Sequence, residues 1–315
     1  MWYSSTSFLK RGIVLSNRVT FRATLCPLLA AFIWGSAFVA QDIAARDLPP
    51  FTVNAVRSWI GAFAILLLSF ALRKKMSIPT ENRNHYYKRL IWGGIGCGNL
   101  LTAAANLQQA GIGETDPGKA GFITSLYVVL VPILGIFFRR RAPYTVWIGI
   151  GIALIGLYLL CITDGFSLAP SDLLILLCAV FFAFQILLVD RLQDVHGIHL
   201  SCVQFFTVAI LSTILMFAFE TPSLSLILKH WAPLLYIGVF SSGIAYTLQI
   251  ISQKDANPTV VTLLLSLESV FAVLTGWVLL GDTLSTREIC GCILMFSAVT
   301  LANIPIKPLS HKGKA

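Results

Sequence analysis

A chain of 315 residues that is 57% hydrophobic and only 12% charged departs from soluble domains, in which about a quarter of residues are charged. That balance argues against a water-soluble enzyme or binding module and describes a membrane protein. A net charge of +9 would suit nucleic acid only if the basic residues shared one surface, and they gather instead in the connections between apolar segments.

The first 22 residues carry Lys10, Arg11, Arg18 and Arg22 without an acid. Such a start resembles a signal n-region or a transit peptide, but the apolar span behind it is long, lacks a clear small-residue cleavage site and is followed by further spans. It reads as a cytoplasmic tail. Windows long enough to cross a hydrocarbon core of roughly 30 Å then fall at 23–45, 51–72, 90–110, 119–138 and 145–162, and again at 170–190, 199–219, 232–253, 258–280 and 287–304. The expectation is an all-α polytopic membrane protein of ten transmembrane helices. Breakers mark the connections, as at Pro49-Pro50, Asp116-Pro117-Gly118, Ala142-Pro143 and Asn257-Pro258.

With the N-terminus inside, Arg73, Lys74, Lys75, Arg83, Lys88, Arg89, Arg139, Arg140, Arg141, Arg191, Lys254 and the three lysines of the C-terminal tail share the cytoplasmic side. Only Arg46, Lys119, Lys229 and Arg287 lie opposite. This asymmetry predicts a multi-pass protein of the cytoplasmic or plasma membrane with both termini cytoplasmic.

Sliding the sequence by 141 to 147 positions lays the last five spans on the first five. A shift of 147 sets Arg57 against Gln204; 145 sets Gly98, Thr102 and Gln108 against Gly243, Thr247 and Gln253; 141 sets Pro117, Ser125 and Gly135 against Pro258, Ser266 and Gly276. Five spans per copy is an odd number, so the copies thread the membrane in opposite senses. The chain divides into a tail at 1–22, a first repeat at 23–162, a second at 163–304 and a tail at 305–315. Inverted repeats place a substrate site near mid-depth and expose it alternately to the two sides, which argues for transport of a small molecule.

Polar residues inside the spans are the candidate site. Ser242, Tyr246, Gln249 and Gln253 share one helical stripe, and Asn99, Thr102, Asn106 and Gln109 another. Interhelical hydrogen bonding, at about 0.6 kcal/mol per bond, explains single residues of this kind; two rows favour a wetted cavity. Glu268 lies about 12 Å into the ninth span, where an ionised carboxylate is costly and marks function or a hydrogen bond to a neighbouring helix. A substrate amine or a proton is its expected partner, and Tyr127, its counterpart under the 141 shift, should stand opposite. Arg57 suits a substrate carboxylate, although reaching outward or pairing with Asp42 is the favoured reading. Trp34 is either an aromatic wall or packing.

Rival classes fare less well. The five histidines, His85, His196, His199, His230 and His311, fall in loops, near span ends or in the tail, and no paired carboxylate or metal motif appears, so a membrane-embedded enzyme lacks its parts. No disulfide, metal or cofactor is expected from the seven cysteines. The run Gly93-Gly94-Ile95-Gly96-Cys97-Gly98 follows no strand and lacks a P-loop lysine. A carrier of phosphorylated or nucleotide-type metabolites would want several cavity cations, and a channel would pass solute only down its gradient.

Trp34-Gly35-Ser36-Ala37-Phe38 resembles the Trp-Gly-x-x-Phe motif of the EamA-type ten-helix transporters, in the drug/metabolite transporter superfamily. Leu267-Glu268-Ser269-Val270 with Gly276-Trp277 and Leu280-Gly281-Asp282 is similar to that family's Leu-Glu-Pro-Val and Gly-Glu pattern, with Ser269 in place of proline and Asp282 in place of glutamate. The resemblance, over residues 25 to 304, implies a cavity between helices one, three, four, six, eight and nine, with five and ten outside. It further implies export of amino acids, related metabolites or drugs. The lipid bilayer is the expected surrounding partner, nucleic acid is not expected, and proton coupling is a weaker expectation than transport.

Overall fold

The computed structural model describes residues 17–73, 82–112, 114, 117–137, 142–162, 169–254, 256–280 and 284–302. Asp116, Gly281, Asp282, the side chains of Arg18 and Lys119, Lys74, Lys75, Arg139, Arg140, Arg141 and the basic residues of 1–16 and 303–315, named above, lie outside the described residues. Everything regular among the described residues is helical. The first repeat holds α1 (Asn17–Ala45), α2 (Pro50–Leu72), α3 (Arg83–Ile112), a fourth span split into α4 (Pro117–Ser125) and α5 (Tyr127–Phe137), and α6 (Tyr144–Cys161). In the second are α7 (Pro170–Asp190), α8 (Gly197–Phe219) and a short α9 (Leu224–Lys229). Its eighth span comprises α10 (Trp231–Tyr236), a π-helical stretch Ile237–Ala245 and α11 (Tyr246–Ser252); the ninth is split into α12 (Pro258–Leu265) and α13 (Glu268–Leu280); α14 (Thr286–Ala302) closes the repeat.

Helix starts follow local chemistry. Pro50, Pro170 and Pro258 sit at first helical positions, where a missing N–H costs nothing. Asn257 caps α12 by accepting from Thr259 N at 2.9 Å, and the Asp172 carboxylate reaches back to Ala169 N at 2.6 Å. Among the described residues, nine segments are long and apolar enough to cross a membrane; α14, of 17 residues, is the tenth span. Leu67, Phe137, Phe217 and Val278 are 69% to 80% exposed, a surface that suits lipid and no aqueous medium.

The interfaces between repeats come in related sets. The first span packs on the ninth as the sixth packs on the fourth, and the second packs on the eighth as the seventh packs on the third. The second also meets the seventh, and the fifth meets the tenth, pairs that an internal two-fold maps onto themselves. Two inverted five-helix repeats are thus built around one pseudo-two-fold axis. α6 and α14 form a peripheral pair in which a Cβ on Gly291 would lie 2.8 Å from the Gly156 carbonyl oxygen, and one on Gly156 would lie 3.0 Å from that of Gly291. Only glycine permits two backbones to meet in this way.

The split helices obey the same symmetry. Leu126 separates α4 from α5, and Ser266 and Leu267 separate α12 from α13. At the first break Leu126 N donates to Ile123 O and Leu130 N to Leu126 O; at the second, Leu267 N donates to Leu264 O and Phe271 N to Leu267 O. Each of those residues is 141 positions from its counterpart. Short 3₁₀-type turns therefore interrupt both helices at one equivalent depth.

Candidate functional site

The breaks leave Tyr127 and Glu268 as the first residues of α5 and α13. Tyr127 Oη donates to Glu268 Oε1 at 3.2 Å, while Ser125 and Ser269 share a hydrogen bond of 3.1 Å beside them. Gly35 allows α1 to cross this point, since a Cβ there would sit 2.5 Å from the Glu268 carbonyl oxygen. Its neighbour Trp34 turns towards the axis, donates Nε1 to the Ser241 carbonyl at 3.3 Å and meets the Tyr246 ring edge to face at 4.7 Å between centroids.

Around these residues lies a cavity lined by Trp34, Phe38 and Gln41 of α1, Arg57 of α2, Gln108 of α3, Thr124 and Tyr127 of the fourth span, Phe182 and Ile186 of α7, Ser241, Tyr246 and Gln249 of the eighth span, and Leu265 and Glu268 of the ninth. Its free volume is about 40 Å³, space for a few waters and far below the roughly 300 Å³ at which ligand pockets begin. At this volume the cavity has to widen to hold an organic solute. None of its walls comes from the fifth, seventh or tenth span, and the second span contributes Arg57.

Arg57 neither reaches outward nor pairs with Asp42. It is 6% exposed and donates Nη1 to Gln41 Oε1 at 2.8 Å, whereas Asp42 pairs with Arg46 at 2.9 Å. The cause is the tight seat of α2 on the π-helical stretch: a Cβ on Gly238 would meet that of Ile60 at 2.6 Å, and one on Gly61 would meet that of Ser242 at 2.8 Å. No ion pair of Arg57 or Glu268 occurs among the described residues.

Six of the residues singled out in the sequence, Trp34, Arg57, Tyr127, Tyr246, Gln249 and Glu268, come together in this cavity. Ser242, Asn99 and Asn106 do not. Ser242 lies within the π-helical stretch, whose wider i→i+5 turns rotate it off the Tyr246 stripe and against α2, and Ser241 takes the cavity position. Asn99 and Asn106 face a separate, largely apolar crevice of about 520 Å³ along α3, α7 and α8. There Asn106 receives Nδ2–H from Asn54 at 3.0 Å and donates to Thr102 O and Ser212 Oγ, a structural knot. This face of α3 looks away from the cavity because Gly94 and Gly98 press it onto Val203 and Thr207 of α8. Gln41, Gln108 and Thr124 were not singled out as site residues. Trp34, Phe38 and Gln41 stand at i, i+4 and i+7, so a stripe on α1 was available to find Gln41.

Each end of the bundle is tied across the repeats. At one, Asp47 meets Lys229 Nζ and His230 Nε2, each at 2.7 Å, and these two neighbours hold the Asp47 carboxyl below its usual range. At the other, Asp194 meets Arg89 at 2.6 Å. Asp47 and Asp194 are 147 positions apart, so the two ties are repeat counterparts on opposite faces.

Comparison with known proteins agrees with this architecture. The sequence profile described as the EamA-like transporter family matches residues 22–162 and 169–304. An uncharacterized transporter of Archaeoglobus fulgidus is 29% identical over 308 residues, covering 95% of this chain and 92% of that protein. The uncharacterized inner membrane transporter YedA of Escherichia coli K12 is 27% identical, covering 90% and 95%, and the uncharacterized transporter YoaV of Bacillus subtilis is 24% identical, covering 84% and 90%. A crystal structure superposes with a TM-score of 0.74 at 21% identity, over 89% of this chain and 96% of that one, a likeness of fold.

Proposed function

We propose that this chain, which belongs to the EamA-like transporter family, exports small organic solutes bearing an amine and a carboxylate, amino acids foremost, by alternating access. One observation carries the reading: a buried acid and a buried cation, Glu268 and Arg57, line one central cavity, and neither has an ionic partner among the described residues. Buried charges are ordinarily paired, and a zwitterion bridging the two would supply the missing partner to each. Amines and drugs that engage Glu268 alone follow as weaker substrates. A phosphorylated metabolite is less suited to a cavity in which Arg57 is the cation. The positive-inside pattern supports cytoplasmic termini, which puts the Asp194 end of the bundle on the cytoplasmic side. Proton linkage through Glu268 is part of the proposal.

The test is flux into proteoliposomes of a radiolabelled amino-acid panel, alongside the corresponding amines and the corresponding carboxylic acids. Accumulation of the zwitterions, abolished by Arg57→Gln and Glu268→Gln and driven by an imposed pH gradient, is expected. Flux of the carboxylic acids or amines alone at equal rates would overturn the zwitterion reading, and flux indifferent to the pH gradient would overturn proton linkage.

A further inference from the structure

Three glutamines from three helices form a chain leading away from the cavity. Gln249 Nε2 of α11 donates to Gln185 Oε1 of α7 at 3.3 Å, and Gln185 Nε2 donates to Gln204 Oε1 of α8 at 3.0 Å. All are at most 1% exposed. Both ends of the chain are left open: Gln249 Oε1 and Gln204 Nε2 are buried without a partner among the described residues, and Gln249 lines the cavity. Packing alone does not account for this, because leucine or methionine would fill the same space without stranding amide groups in an apolar interior.

The inverted repeat supplies the missing reason. Gln41 and Arg57 of the first and second spans correspond, at shifts of 144 and 147, to Gln185 and Gln204 of the sixth and seventh. Arg57 donates to Gln41 where the counterpart Gln204 accepts from Gln185; Gln249 joins the second pair to the cavity wall, while Gln108 in that wall bonds to Thr124. Arg57 stands seven residues inside α2 and Gln204 seven inside α8, about 10 Å from opposite faces. The same motif is therefore built twice, once ending in a guanidinium and once in a neutral amide.

We infer that Gln249, Gln185 and Gln204 form a second polar binding station, which opens to the Asp194 face when the molecule rearranges and holds the solute by uncharged hydrogen bonds. This deepens the transport reading and rests on it. The path is polarised: a carboxylate is held by Arg57 on the Asp47 side, and meets only amides on the other. Solute is consequently gripped more weakly from the Asp194 face than from the Asp47 face.

Two measurements on the reconstituted full chain decide the matter. In a background with the native cysteines replaced, Gln185→Cys and Gln204→Cys are treated with a charged, membrane-impermeant methanethiosulfonate from each face of oriented vesicles. Reaction from the Asp194 face alone is expected; absence of reaction from either face, with the labelled site confirmed as folded, overturns the station whether or not any amino acid is carried. In the second, Gln204→Met, close in volume, is compared with wild type in exchange of labelled L-threonine and L-glutamine. A KM raised at least tenfold from the Asp194 face and unchanged from the Asp47 face is expected, with Gln204→Asn partly restoring it. If Gln204→Met is at least as heat-stable as wild type with unaltered KM from both faces, the amides are packing only. Failure of wild type to exchange either amino acid counts against the zwitterion reading, while the cysteine labelling still decides this one.

Discussion

Tyr127 and Glu268 occupy the same position in the two repeats and are joined by a hydrogen bond of 3.2 Å across the pseudo-two-fold axis. One copy holds a phenol and the other an acid, so the symmetric scaffold carries an asymmetric pair. Glu268→Gln keeps the size and an acceptor for Tyr127 while removing the charge. Transport of amine-bearing solutes should fall at least tenfold in kcat/KM with its pH dependence flattened, read from initial rates between pH 5.5 and 8. Tyr127→Phe should raise KM several-fold and leave the pH profile in place. A Glu268→Gln variant with wild-type rates and profile would remove the acid from the mechanism.

Gly35 is needed for contact with the start of α13. A methyl group there would lie 2.5 Å from Glu268 O and 2.8 Å from Ala272 N, so backbone has to shift. Gly35→Ala is expected to destabilise by about 1–3 kcal/mol, seen as a lower melting temperature in detergent. Gly151→Ala, where nothing lies within 4 Å of the added carbon, is the control and should be neutral or slightly stabilising.

Glu220 stitches the seventh span to the second. Its carboxylate accepts Phe51 N at 2.8 Å, Thr52 N at 2.7 Å and Thr52 Oγ1 at 2.7 Å, satisfying free N–H groups at the positive end of α2 from another repeat. Glu220→Ala should cost about 1–2 kcal/mol and increase hydrogen exchange at the first turn of α2. Unchanged exchange there would show the cap to be dispensable.

His196, half-buried just before α8, has its imidazole pushed down to about 4 by burial, reinforced by His199 and Lys254. Its Nδ1 has no hydrogen-bond partner among the described residues. The folded protein thus keeps the ring neutral where an unfolded chain, with a value near 6.5, would take up a proton. Unfolding gains protons as pH falls from about 6.5 to about 4, and stability drops across that window while remaining flat above it. His196→Gln should reduce the acid slope of the melting temperature. An identical slope in wild type and variant would assign the acid sensitivity to other groups.

The ten spans were legible because hydrocarbon thickness imposes one length on every apolar window, and the inverted repeat because an odd number of crossings leaves no other threading. The helix breaks were not. Leu126-Tyr127 and Leu267-Glu268 contain neither glycine nor proline, and Pro132 lies well inside α5; the second interruption accompanies the close crossing of α1, the first the packing of α7 on the fourth span, and both appear only in three dimensions. The π-helical turns were hidden for the same reason. A stripe computed at 100° per residue put Ser242 in the cavity, whereas the wider turns put Ser241 there. That Glu268, Tyr127, Tyr246 and Gln249 line one cavity follows signals of three kinds: an acid alone in apolar sequence, its repeat counterpart, and a shared helical stripe. Asn106, on a stripe of the same kind, serves helix packing, and its bonds to Asn54 and Ser212 distinguish the two cases.

The contact of Gly156 with Gly291 leaves no room for a side chain between the fifth and tenth helices. Two backbones touching with no side chain between them hold the fifth and tenth helices at one fixed separation, and both helices stand outside the cavity wall. A bulky residue at either glycine would wedge this pair apart at the rim of the bundle, away from the residues that line the cavity.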